Sequence, residues 1–416
     1  VLHHLERPAP AAGRRALADL APGSVANGVI GFIFAATGPL AVILAAGRGG
    51  GLTPAELASW VFGSFCLNGL LTLAMSWRYR LPLVFFFTIP GTVLVGQALD
   101  HLSLPEVIGA YYATALLMLL LGLSGWVRRA MALIPMPIVM GMVAGVFLRF
   151  GLDLVRGLHE DLGVAAPMVV AFLLLSAVPT LGRRVPPMLG TLAVGVAAVA
   201  LLGRVDGAAL GGLALVSPVV QAPVFSVAAL VELVVPLAIT VLVVQNGQGI
   251  AVLQANGHTP PVNTIAAACG IGALACAVVG AVSTCLTGPV NAILSSSGAR
   301  ERQYTGALVV GALAVVFGLL APTVTNLMLA APRAFIMTLA GLAMLRVLQS
   351  AFTVAFRDRC ALGALVSFLV TVADLPVLNI GAAFWGLVAG ALVSWLLERD
   401  EVRLARPPRE GQHGAQ

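Results

Sequence analysis

Two short stretches of this chain can hold an anion without supplying a charge of their own. Thr88-Ile89-Pro90 and Thr287-Gly288-Pro289 lie 199 positions apart, each inside an interrupted hydrophobic stretch. A proline in a helix interior removes a hydrogen bond and clashes with the preceding turn, yet it is favoured at the first helical position. Each stretch therefore predicts an extended segment, 84–88 or 283–287, running into a half-helix that starts at Pro90 or Pro289. The N–H groups of Gly91, Thr92 and Val93 in one copy, and the start of Pro289-Val290-Asn291 in the other, would point toward a common centre. Each helix start carries about +0.5 of a charge from its dipole, so two of them facing each other suit a carboxylate. The competing reading is that Pro90 and Pro289 only kink two packed helices.

Other polar groups could complete such a site. Gln245, Asn246 and Gln248 place three amides in an apolar run, where each needs a hydrogen-bond partner. They are expected near the end of a span, either donating to a ligand or capping the helix. Asn291 and 295–297 add donors. Phe86 and Phe87, with Phe85, could wall a pocket for a flat ring, although alternate residues of an extended segment face opposite ways and packing accounts for at least one of them. Tyr111 and Tyr112 read equally well as packing residues. Glu232 stands alone in an apolar run, where a carboxylate is expensive and functional by default, and it is the candidate proton carrier. Asp100, Asp153 and Asp374 read as interfacial, and Arg149 and Arg346 as counter-ions or snorkelling side chains.

The elements that must position these groups are membrane spans. Hydrophobic residues make up 59% of the chain and charged ones 10%, against roughly 25% charged in a soluble domain. Apolar runs of span length fall near 22–46, 55–76, 83–99, 104–125, 134–155, 163–181 and 186–203. They continue near 225–247, 262–280, 282–298, 303–322, 332–352, 360–375 and 379–397, giving fourteen in all. Arg7, Arg14, Arg15, Arg78, Arg80, Arg128, Arg129, Arg183, Arg184, Arg300, Arg302, Arg357, Arg359, Arg399, Arg403, Arg406 and Arg409 fall at the termini or on the same side as them. Only Arg48, Arg156, Arg204 and Arg333 fall opposite. That bias predicts an all-α polytopic protein of a bacterial-type inner membrane with both termini cytoplasmic.

Landmarks recur in order between the halves. Thr53-Pro54 is answered by Thr259-Pro260, Gly109-Ala110 by Gly306-Ala307, and Pro137 with Arg149 by Pro332 with Arg346. Seven spans per copy make an inverted repeat, and paired broken segments at matching positions are the sequence pointer to a transporter site. The net charge of +6 is then an orientation signal, with no nucleic-acid patch. Cys66, Cys269, Cys276, Cys285 and Cys360 lack metal-ligand spacing and read as reduced packing residues. His3, His4, His101, His159, His258 and His413 fall at termini or loops, so no metal, cofactor or enzyme chemistry is expected within the spans. Residues 1–20 lack the features of a cleaved secretion signal, and the start at Val1 reads as a trimmed terminus.

Phe-Thr-Ile-Pro-Gly-Thr at 87–92, Met-Pro-Ile-Val-Met-Gly-Met-Val-Ala-Gly-Val at 136–146 and Gln-Asn-Gly-Gln-Gly at 245–249 resemble the benzoate transporter (BenE) family of proton symporters. That family is similar in architecture to the uracil and other nucleobase transporters and to anion exchangers. The resemblance implies a core domain of segments 1–4 and 8–11 (21–125 and 225–323), a gate domain of the remainder (126–224 and 324–397), and flanking segments 1–20 and 398–416. It also implies import of benzoate or a similar aromatic carboxylate with a proton, and by analogy leaves a homodimer through the gate domain open. In the nucleobase transporters an acid on the eighth segment grips the base. Here the matching region reads Gln245-Asn246, which favours a carboxylate and leaves the coupling residue open. The alternatives are a transporter of the same fold for nucleobases or another small anion, and, further off, a channel or a membrane-embedded enzyme.

Overall fold

The structure, a computed structural model, describes residues 4–8, 19–127, 129, 135–182, 185–204, 212–295, 299–357, 359–375, 377 and 382–401. Ser296, Ser297, His3, His413 and the arginines at 14, 15, 128, 183, 184, 403, 406 and 409 lie outside the described residues.

Among the described residues, seven helices are long and apolar enough to cross a membrane. They are α1 (Pro22–Gly49), α2 (Pro54–Tyr79), α4 (Leu104–Ser124), α5 (Met136–Glu160), α8 (Val227–Ala255), α11 (Tyr304–Leu319, preceded by a short 3-10 turn) and α13 (Arg333–Phe356). The same residues include five shorter apolar helices, α6 (Leu162–Ala177), α7 (Pro187–Leu201), α9 (Val262–Val278), α14 (Ala361–Ala373) and α15 (Ala382–Leu397). α12 (Ala321–Leu329) links α11 to α13. Their outer faces are apolar, with Leu116, Leu120, Leu173, Ile271 and Trp395 more than half exposed, as lipid-facing positions require.

The helix starts follow local chemistry. Thr53 and Ser103 each form a capping box with the glutamate three residues on, Glu56 and Glu106, ahead of a proline in the first turn. α8 is longer than the hydrophobic run alone predicts. It passes straight through Gln245–Gly249 and ends at Ala255, so these amides are interior to the helix and do not cap its end. The cause is a widened π-helical stretch, Thr240–Asn246, which follows Pro236 and keeps the backbone helical while re-aiming the side chains.

Two broken segments occupy the middle. β1 (Phe85–Phe87) leads into α3 (Ile89–Ala98), and β2 (Thr284–Leu286) leads into α10 (Gly288–Ser295). The half-helices thus begin one residue before Pro90 and Pro289. β1 and β2 pair antiparallel, Phe85 with Leu286, Phe86 with Cys285 and Phe87 with Thr284. α1, α2, α4, α8, α9 and α11 pack around the paired strands and half-helices, while α5, α13, α14 and α15 pack on one another, as do α6 and α7. α13 against α1, α5 against α3 and α15 against α8 join the two groups.

Candidate functional site

Extended backbone at membrane depth persists only where its polar groups are satisfied, and the residues around β1 and β2 do this one by one. Thr88 N–H donates to the Ser283 carbonyl and Thr287 N–H to the Val84 carbonyl, both at 3.0 Å, extending the ladder beyond each strand. Val84 N–H donates to Asn291 Oδ1 at 3.1 Å and Leu286 N–H to Asn246 Oδ1 at 2.8 Å. Thr72 and Ser76, one turn apart on α2, accept from Phe85 N–H and Leu83 N–H, while Asn68 Oδ1 accepts from the Thr284 hydroxyl at 2.7 Å. Asn246 is therefore a clamp on β2, and its amide nitrogen points to Cys269 Sγ at 3.5 Å. Gln245, its neighbour, is buried.

The two half-helix starts differ. At α3, Gly91 N–H donates to Thr88 Oγ1 at 3.2 Å and Thr92 N–H to the Thr88 carbonyl at 2.9 Å, so two of the three N–H groups expected to face a ligand are already taken. Thr88 Oγ1 also donates to Thr240 Oγ1 at 3.3 Å, tying the cap to the π-helical stretch of α8. At α10 the side chains are open. Thr287 Oγ1, Ser283 Oγ, Asn291 Nδ2 and Ser295 Oγ are buried atoms without a hydrogen-bond partner among the described residues. Asn291 is fully buried with its Oδ1 engaged, which leaves its amide N–H groups fixed and available. Gln248 lies over this helix start, since a Cβ built on Gly288 would come within 2.6 Å of Gln248 Cδ. Only glycine lets that side chain lie so close.

Phe86 and Phe87 are buried and pack on Phe65 at 5.3 and 6.1 Å between ring centres, and Phe65 packs in turn on Phe317 at 4.7 Å. Phe85 is buried in a separate apolar cluster with Leu286. Tyr111 is buried and Tyr112 only partly. All five cysteines are free and buried.

Glu232 is 5% exposed on α8 and its Oε2 lies 2.9 Å from His101 Nε2. Together they line a cavity of about 200 Å³ with Gln97, Asp100, Asp374 and Phe384, between α3 and α8 on one side and α15 on the other. His101 was not legible as a partner, because it sits in the 99–103 connection and meets Glu232 only through the fold. Arg149 is half exposed and 3.9 Å from Asp100, and Arg346 is exposed. Among the described residues no group of His, Cys, Asp or Glu is arranged to hold a metal ion.

A family described as "Benzoate membrane transport protein" (BenE) matches residues 18–396. The chain belongs to the benzoate membrane transport protein family. It is 30% identical over 380 residues to the inner membrane protein YdcO of Escherichia coli (strain K12), covering 90% of this chain and 96% of YdcO. It is 28% identical over 377 residues to the benzoate membrane transport protein of Acinetobacter baylyi, covering 89% and 94%. Its fold is similar to the transmembrane domain of the cyanobacterium bicarbonate transporter BicA, with TM-score 0.61 at 16% identity over 90% of this chain and 97% of that one. It is also similar to the murine anion transporter Slc26a9 in its inward-facing state, with TM-score 0.62 at 14% identity over 95% and 73%. This BenE-family chain is thus a multi-pass membrane transporter.

Proposed function

We propose that the protein is a secondary active transporter that imports benzoate, or a similar small aromatic carboxylate, together with a proton by alternating access across the inner membrane. The observation that carries this reading is the start of α10, where Thr287 Oγ1 and Asn291 Nδ2 are buried beside a helix N-terminus and have no hydrogen-bond partner among the described residues. A carboxylate is the ligand such donors suit, since it accepts from both and is favoured by the helix dipole. The carboxylate lies between the starts of α3 and α10, within reach of Thr88, Thr287 and Gln248, with its ring toward Phe86 or Phe87.

Seven long helices, five shorter ones and two strand-plus-half-helix segments support a count of fourteen spans in an inverted repeat. In that scheme the group of helices around β1 and β2 is the core domain, α5, α6, α7, α13, α14 and α15 form the gate, and both termini face the cytoplasm. The core moves against the gate around a fixed site. Glu232 carries the coupled proton, with His101 as its hydrogen-bonded partner on the boundary between core and gate. No chemical conversion of the substrate is involved.

Radiolabelled benzoate uptake into proteoliposomes, challenged with excess unlabelled benzoate, uracil or sulfate, tests the substrate class. Benzoate alone should compete. Equal competition by uracil or sulfate removes the aromatic carboxylate as the substrate.

A further inference from the structure

A second cavity of about 460 Å³ opens at the far end of α1 from the chain's N-terminus, between α1 and α3 on one side and α5 and α13 on the other. Three cationic side chains from three separate helices converge on it, Arg48 at the end of α1, Arg149 on α5 and Arg333 at the start of α13. All three are exposed residues. Two acids oppose them. Asp153 is engaged by Arg156 at 3.0 Å, and Asp100 meets Arg149 only at 3.9 Å, beyond hydrogen-bonding distance. The inner wall is apolar, with Val93, Phe150 and Met337. Val93 is four residues into α3, about 6 Å along the axis from the half-helix start.

We infer that this arginine-lined cavity is an entry site that captures a small aromatic carboxylate before it reaches the half-helices. Guanidinium forks match a carboxylate in geometry and charge, and three arginines against two aspartates leave the cleft with an excess of positive charge that favours an anion. The apolar wall of Val93, Phe150 and Met337 receives the ring. The cavity's size falls within the range of roughly 300–1,000 Å³ that small-molecule sites occupy. This inference rests on the carboxylate reading above, and its test is independent of transport.

The reporter is the thiol of Gly49→Cys, a position on the cavity rim where an added Cβ meets nothing within 4 Å. The native cysteines are all buried, and the protein without Gly49→Cys supplies the background rate. Labelling rates are measured in nanodiscs with anionic sulfonate-bearing and cationic ammonium-bearing methanethiosulfonate reagents, each normalised to an uncharged one. The anionic reagent should react faster, and Arg149→Gln with Arg333→Gln should lower the anionic-to-cationic ratio about tenfold at low salt. Benzoate should slow labelling of Gly49→Cys and benzamide should not, with the benzoate effect lost in the double arginine variant. An unchanged ratio overturns the inference, as does a changed ratio without benzoate protection. Protection with no benzoate uptake keeps the entry site and rejects the transport reading, and uptake without protection does the reverse.

Discussion

His101 Nε2 lies 2.9 Å from Glu232 Oε2, joining the connection after the first half-helix to a buried position on α8 that is 131 residues away in sequence. A carboxylate at 5% exposure in an apolar helix is costly unless it is paired or protonated. The pair sits on a cavity whose opposite wall, Asp374 and Ala382–Phe384, belongs to the other group of helices. In the proposed alternating-access scheme, movement of one group against the other would change the surroundings of this pair.

Neutralising the acid should separate the two cargoes. Glu232→Gln keeps the hydrogen-bonding shape and removes the titration. Proton-driven accumulation of benzoate above equilibrium should be lost, because the variant has no carboxyl at this position to take up and release the coupled proton. Exchange between benzoate-loaded liposomes and labelled benzoate outside should persist. Equal loss of both activities would show that Glu232 supports the fold and not the coupling.

Removing one hydroxyl should weaken the substrate site without disturbing the helix. Thr287→Val deletes an Oγ1 that has no hydrogen-bond partner among the described residues, so folding should be unaffected. Affinity for benzoate should drop by about tenfold, equivalent to about 1.4 kcal/mol, with Thr287→Ser restoring it. Wild-type affinity in Thr287→Val, read from the KM of uptake, places the carboxylate elsewhere.

Asn246 should behave differently from Thr287. Asn246→Ala leaves Leu286 N–H without its acceptor at membrane depth, which costs about 1–3 kcal/mol. The expected result is earlier thermal unfolding in detergent, with transport lost alongside stability. A variant as stable as the wild type but unable to bind benzoate would make Asn246 a ligand contact instead of a strand clamp.

Close packing of α8 on β2 gives a further check. A Cβ on Gly249 would lie 2.8 Å from Leu286 Cδ2 and 3.3 Å from the Leu286 carbonyl oxygen. Gly249→Ala should destabilise the protein by about 1–3 kcal/mol through overpacking, read from the same thermal unfolding. Gly49→Ala, on an open rim, is the neutral control.

Much of this architecture was legible from local chemistry. The aromatic run 85–87 ending at Thr88-Ile89-Pro90 specified an extended stretch and a helix start, because proline fixes both sides of that boundary. The Gln245–Gly249 stretch reads as the end of a span because three amides close an apolar run, whereas α8 continues through it from the π-helical stretch Thr240–Asn246 to Ala255. From sequence, Asn246 reads as a donor to a ligand or as a helix cap. Nothing local reveals that its oxygen is committed to Leu286, 40 residues on. His101 and the convergence of Arg48, Arg149 and Arg333 were hidden for the same reason, since each meets its neighbours only when distant helices pack. Thr72 and Ser76 did carry a signal, being polar residues four apart on one face of an apolar helix.

The most direct measurement of the central claim is benzoate accumulation in proteoliposomes under an imposed inward proton gradient, for wild type and Thr287→Val in parallel. Wild-type protein should concentrate benzoate above equilibrium, a protonophore should abolish that excess, and Thr287→Val should reach it only at higher substrate concentration. Benzoate that merely equilibrates with or without the gradient, or a variant indistinguishable from wild type, would contradict proton-coupled transport through the half-helix site.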